Sequence, residues 1–107
     1  MRKIVSIGFE NTIYNHIEMF QNIIGKNSDK YKYIIVSEQE NTDINRKEIE
    51  ESLRKINIEY DGLILAESWI GKVKAIAELN PSYHFDSEDR TITFLNRYTD
   101  GISLIVV

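Results

Sequence analysis

Two short stretches hold the side chains best placed for chemistry, IVSIGFEN (Ile4–Asn11) and ESWIGK (Glu67–Lys72). Each begins where an apolar run gives way to a helix-like pattern. In a parallel α/β protein, ligands and reactive groups gather at such strand ends. Gly8, Phe9 and Glu10 form the first turn, and Glu67, Ser68, Trp69 and Lys72 the second. Glu10 and Glu67, on neighbouring strand ends, could orient a ligand, share a proton or bind Mg²⁺. Solvated or helix-capping roles compete for both. Ser68 reads as a helix cap, since no base lies near it in sequence. Trp69 suits a cleft wall, an interface or the core. Lys72, with the backbone N–H groups of residues 69–71, could receive an anion. These seven residues are the expected ligand-binding set, with no catalytic residue among them.

Other chemistries find little support. There is no cysteine, which removes disulfides, thiolate metal sites and thiol catalysis. The two histidines, His16 and His84, lie far apart and outside any cluster at metal-ligand spacing, so neither a metal nor a cofactor is expected. His16 reads as a partly exposed helix residue, with a phosphoacceptor facing the strand ends as its functional alternative. His84 alternates with Tyr83 and Phe85, which puts it on the outward side of a strand. The Gly8 turn has one glycine where nucleotide-binding loops need two or three. The tyrosines are dispersed, with no paired aromatics to stack on bases.

The whole chain sets the frame. Its 107 residues suit one α/β domain, 1–107, and 42% apolar with 28% charged residues is ordinary for a globular protein. A net charge of −4 weighs against nucleic acid as a partner. No apolar run approaches the roughly 18 residues of a membrane span, and the start carries no signal segment, so the cytoplasm is the default.

Periodicity places the elements that must position these residues. The first strand is Lys3–Ile7. A helix capped by Asn11 or Thr12 follows, with Ile13, Ile17, Phe20 and Ile24 inward and Gly25 closing it. Tyr31–Val36 is the second strand. Asn45 and Glu48 resemble a capping box for a second helix running to about Ile56. Gly62–Ala66, apolar throughout, suits a strand covered on both faces. Ser68 caps a third helix ending at Asn80-Pro81. Beyond it, Tyr83–Phe85 and Thr91–Leu95 read as a hairpin, and Ile102–Val107 as a last strand, paired within the sheet or across a dimer.

The landmarks IVSIGFEN, EMFQNIIG (Glu18–Gly25), NRKEIEESLRKI (Asn45–Ile56) and GLILAESWIGKV (Gly62–Val73) resemble, over residues 1–80, the enzyme IIA domain of the mannose-type sugar phosphotransferase system. Glu67, Trp69 and Gly71 fall on that family's Asp, Phe and second Gly. Ile70, Lys72 and Val73 depart from its first Gly, Ser and Pro. The resemblance implies a phosphoacceptor histidine after the first strand, where this chain has Phe9, or Ile7 if the glycines are superposed. Neither side chain can hold a phosphoryl group.

The expected fold is therefore α/β, a small doubly wound three-layer sandwich. Strands one to three are parallel in the order 2-1-3, extended by an antiparallel hairpin and a C-terminal strand. The expected function is a divergent IIA-like domain without the phosphoacceptor, a non-catalytic binding or regulatory module. Two alternatives stand beside it: a sensor for a nucleotide or other anionic metabolite at the strand carboxyl ends, and an acidic partner-binding protein of inhibitor or immunity type. Expected partners are an anionic small molecule or a protein, and a second copy in a homodimer, with no nucleic acid and no membrane.

Overall fold

The computed structural model describes residues 2–106, so the end of the last strand at Val107 lies outside the described residues. The strands are β1 (Lys3–Gly8), β2 (Tyr31–Glu38), β3 (Gly62–Ala66), β4 (Tyr83–Asp86) and β5 (Ile102–Ile105). The helices are α1 (Ile17–Asn27), α2 (Asp43–Lys55), α3 (Trp69–Leu79) and α4 (Asp89–Tyr98). All strands are parallel, in the order β3-β2-β1-β4-β5. The chain steps outward from β1 to β3, then α3 carries it back so that β4 forms on the other side of β1.

The doubly wound sandwich and its first three parallel strands are as the sequence implies. The order 2-1-3 is not. β3 lies outside β2, and β4 takes the place beside β1. The antiparallel hairpin is also replaced, because its second arm, Thr91–Leu95, lies within α4. Thr91 and Leu95, four residues apart, are buried, and half-buried Phe94 joins them against the sheet. Tertiary burial at helical spacing outweighs the strand preference of the run TIT. With a helix between β4 and β5, that connection becomes a crossover and the last strand must also be parallel.

Each face of the sheet has its own core. Val5, Ile7, Tyr33, Ile35 and Leu65 pack against Ile13 of the turn after β1, against Phe20 and Ile24 of α1 and against Ile49 and Leu53 of α2. On the opposite face, Ile34 and Val36 meet Ile76 of α3 and Leu95 of α4. Ser68 caps α3 as expected, its Oγ accepting from Gly71 N at 3.0 Å. The cap of α2 is Thr42, whose Oγ1 accepts from Asn45 N at 3.1 Å, so this helix starts earlier than Asn45. The first helix starts later than Asn11 or Thr12. Phe9–Ile13 forms a wide turn with Asn11 at φ 56°, a left-handed conformation that asparagine tolerates. Gly25 lies inside α1, which runs on to Asn27.

The two sheet edges are closed by side chains. β3 is an edge strand and mostly half-buried, not covered on both faces. Arg46 Nη1 donates to its Leu63 carbonyl at 2.9 Å. On β5, bonds from Ile102 N to Ser82 O and from Val106 N to Asp86 O tie the chain to β4. Ser103 between them turns its backbone outward, where Asn96 takes both groups. Asn96 Oδ1 accepts from Ser103 N at 2.9 Å, and Nδ2 donates to Ser103 O at 3.1 Å. Among the described residues, no helix is long and apolar enough to cross a membrane.

Candidate functional site

The strand order reverses between β1 and β4, so the crevice of this fold opens at their carboxyl ends. There Gly8 ends β1 and Asp86 ends β4. A Cβ on residue 8 would lie 2.5 Å from Asp86 Oδ2. The missing side chain at Gly8 is thus the space the Asp86 carboxylate fills.

That carboxylate is 1% exposed and fully partnered. Lys72 Nζ, from α3, sits 3.0 Å from Asp86 Oδ2, and His84 Nε2 is 2.9 Å from the same oxygen. Oδ1 accepts from the backbone N–H groups of Ser87 at 2.9 Å and Glu88 at 3.2 Å. His84 Nδ1 meets Ser6 Oγ at 2.7 Å. One proton arrangement satisfies every contact: neutral His84 donates from Nε2 to Asp86 and accepts at Nδ1 from the Ser6 hydroxyl. Burial holds the His84 pKa below its ordinary value, against the opposing pull of Asp86. For Asp86, burial raises the pKa, but the His84 hydrogen bond and the Lys72 charge together hold it below the usual carboxylate range.

Glu10 is held at the end of β2. Its carboxylate accepts from Ser37 Oγ at 2.5 Å, Glu38 N at 2.9 Å and Gln39 Nε2 at 3.2 Å. Thr12 Oγ1 lies 3.1 Å from Glu10 O and 3.2 Å from Ser87 Oγ, joining this group to the start of the loop after β4. Between the two groups remains a crevice of about 180 Å³, lined by Glu10, Asn11, Glu38, Lys72, Asp86, Ser87 and Glu88. Four carboxylates against one ammonium make it acidic, and that ammonium already has its counterion. A larger surface hollow of about 720 Å³ runs along α2 to Tyr60, away from the strand ends. Among the described residues no group of three or more His, Asp and Glu converges as a metal site.

The order Ser6–His84–Asp86 is that of a hydrolytic relay, but its geometry prevents that use. Ser6 is 0% and His84 1% exposed, so no substrate carbonyl can reach the hydroxyl. The relay instead satisfies polar groups inside the sheet–helix interface.

The structure brings together Gly8, Glu10 and Lys72 from the expected ligand-binding set. Phe9 turns to the core, edge-on to Tyr14 at 5.8 Å between ring centroids. Glu67 is exposed at the end of β3. It does not line the crevice that Glu10 and Lys72 share. Ser68 serves as the cap already described. Trp69 packs on α4, its Nε1 donating to Thr91 Oγ1 at 2.9 Å. His16 is half-buried ahead of α1 and takes no part in the crevice. His84 lies inward, not outward: it does face away from Tyr83 and Phe85, but that face is covered by α3 and α4. Sequence reasoning missed Ser6, Ser37, His84 and Asp86 as site residues. The available signal was polar residues two apart in YHFD, in a chain whose helices can cover both sheet faces.

The aromatic residues, dispersed along the chain, do meet in space. Trp69 and Phe94 are 5.8 Å apart and edge-on, and Phe94 and Tyr98 are 4.8 Å apart. The Arg90 guanidinium sits 4.5 Å over the Trp69 ring.

No family model matches this sequence, and no curated protein matches it. Among solved structures, it is similar to a chain of the Pnkp1/Rnl/Hen1 complex, with a TM-score of 0.78 and 18% identity, over 99% of this sequence and 46% of that chain. It is also similar to a chain of the Pnkp1/Rnl/Hen1 RNA repair complex, with a TM-score of 0.77 and 17% identity, over 98% of this sequence and 42% of that chain. The sequence thus spans less than half the length of the chains it matches, and at this identity the likeness establishes a shared fold.

These matches overturn the resemblance to the mannose-type IIA domain. They extend through the last quarter of the sequence, where the IIA pattern stops, and they lead to RNA repair proteins and not to sugar phosphotransfer. The phosphotransferase-type function falls with it. The metabolite-sensor alternative loses its site as well, since Glu67 and Trp69 stand apart from an acidic crevice. The inhibitor or immunity alternative rested on an acidic helix alone and finds no counterpart in the matched structures.

Proposed function

We propose that this chain is a structural component of an RNA-repair-type assembly, folding as one domain and working through a protein partner. The observation that carries this is the fold match over nearly the whole sequence to chains of the Pnkp1/Rnl/Hen1 RNA repair complex. The strand-end chemistry supports it. With glycine at the end of β1 and Lys72, His84 and Asp86 committed to one another, Gly8, Glu10 and Lys72 have architectural roles. The partner is a different protein, as the multi-protein setting of the matched chains suggests, and on the β5 edge Asn96 already takes the backbone groups of Ser103.

The test is cross-linking and affinity purification of the tagged chain from its own host, with mass spectrometry and light scattering on the eluate. The expected product is a stoichiometric hetero-complex containing a homologue of Pnkp1, Rnl or Hen1. Recovery of the chain solely as a monomer or homodimer would overturn the proposal.

A further inference from the structure

We infer that the exposed face of α4 is a stacking site for single-stranded RNA. Arg90, Phe94, Arg97 and Tyr98 recur at helical spacing, and with Asp89 and Thr93 they line a concavity of about 510 Å³. Trp69, Phe94 and Tyr98 form a continuous aromatic row, and Tyr98, 66% exposed, leaves a ring open at its end. Nothing in the interior accounts for an open tyrosine ring beside two arginines.

Charge and size select the occupant. Arg90 is held over Trp69 and paired with Glu88 at 3.3 Å, so its own charge is already engaged. Arg97 makes no ion pair among the described residues, which leaves a guanidinium beside the open ring for a phosphate. A π-face next to a free cation is the pairing that a nucleotide strand satisfies at every step. The concavity suits one or two stacked bases. Asp89 on the rim opposes phosphate, so stacking leads the binding and charge assists it. The stacking chemistry is read from the α3–α4 surface, and the choice of RNA over DNA rests on the assembly reading proposed above.

Trp69, the single tryptophan, is a built-in reporter. We would titrate the full chain with deca-adenylate RNA at about 50 mM salt, following Trp69 quenching and the anisotropy of a labelled strand. Expected are saturable binding, a loss of about 10-fold or more in Tyr98→Ala, a smaller loss in Arg97→Gln, and tighter binding in Asp89→Asn. With about one phosphate neutralised, by Arg97, the log–log salt slope is expected near −0.7. All three positions are exposed, and circular dichroism checks each fold. Absent binding, equal affinity for duplex RNA or for adenosine monophosphate, or indifference to Tyr98→Ala would each overturn the inference. So would loss of a protein partner, and not of RNA, in the same variants. Because no partner is needed, failure here is distinguishable from failure of the assembly reading.

Discussion

Replacing Lys72 by methionine would test the buried charge cluster most directly. The substitution keeps an unbranched side chain of similar reach within the α3–sheet interface and deletes the ammonium 3.0 Å from Asp86. With side-chain exposures of 4% and 1%, solvent cannot replace the lost partner. Removing one member of a buried pair costs about 3–5 kcal/mol. The lower end applies, because Asp86 keeps the His84 N–H and the Ser87 and Glu88 amides. A loss of about 3 kcal/mol from a total of ~5–15 kcal/mol is large. It corresponds to a fall in Tm of about 12 °C for a domain of this size. Urea unfolding followed by Trp69 fluorescence measures it. The double variant Lys72→Met/Asp86→Asn is expected to recover part of the loss, with a coupling of about 2 kcal/mol. Lys72→Met within about 0.5 kcal/mol of the parent, or a strictly additive double variant, would refute the view that these charges hold each other in place.

Gly8→Ala puts a methyl group where Asp86 Oδ2 sits and should cost about 1–3 kcal/mol in urea unfolding; an unchanged midpoint would show that the carboxylate moves aside freely. His84 has a folded pKa below 6.5, so the unfolded chain takes up its proton first as pH falls. Stability should therefore decline from about pH 6.5 downward and be flat in this group above it, and His84→Gln should flatten the urea-midpoint profile between about pH 7.5 and 5. Ser68→Ala removes the α3 cap and should cost about 1 kcal/mol, read from the Tm, with no effect on RNA affinity.

Local grammar was legible in the sequence where each residue answered to its neighbours. The first three strands, the Ser68 cap and the buried Phe20 and Ile24 of α1 follow from β-branched runs and apolar spacing alone. Strand order did not, because it depends on where α3 returns the chain, and no short-range pattern encodes that. The Thr91–Leu95 helix was hidden by β-branched residues whose burial is decided by β4, β5 and α3, distant in sequence or not yet placed. The site was half legible. Gly8, Glu10 and Lys72 announced themselves by position at element ends, whereas Asp86 looked like a loop aspartate and His84 like a surface residue. Both readings followed from the hairpin expected over Tyr83–Leu95, which would have left that stretch a polar loop and an open face. Once two helix layers are in place, alternation distinguishes one interior from another and no longer inside from outside.

The amide of Asn96 has a chemical lifetime. Hydrolysis to aspartate would exchange its Nδ2 donor for an oxygen facing the Ser103 carbonyl, turning a paired contact into a repulsive one. A sample aged at mildly alkaline pH would then gradually acquire molecules whose sheet ends unguarded, and light scattering should rise with the deamidated fraction. One side chain thus guards Ser103 on this edge, and Asn96→Gln, a methylene longer, would not bridge the same two backbone groups in the same way.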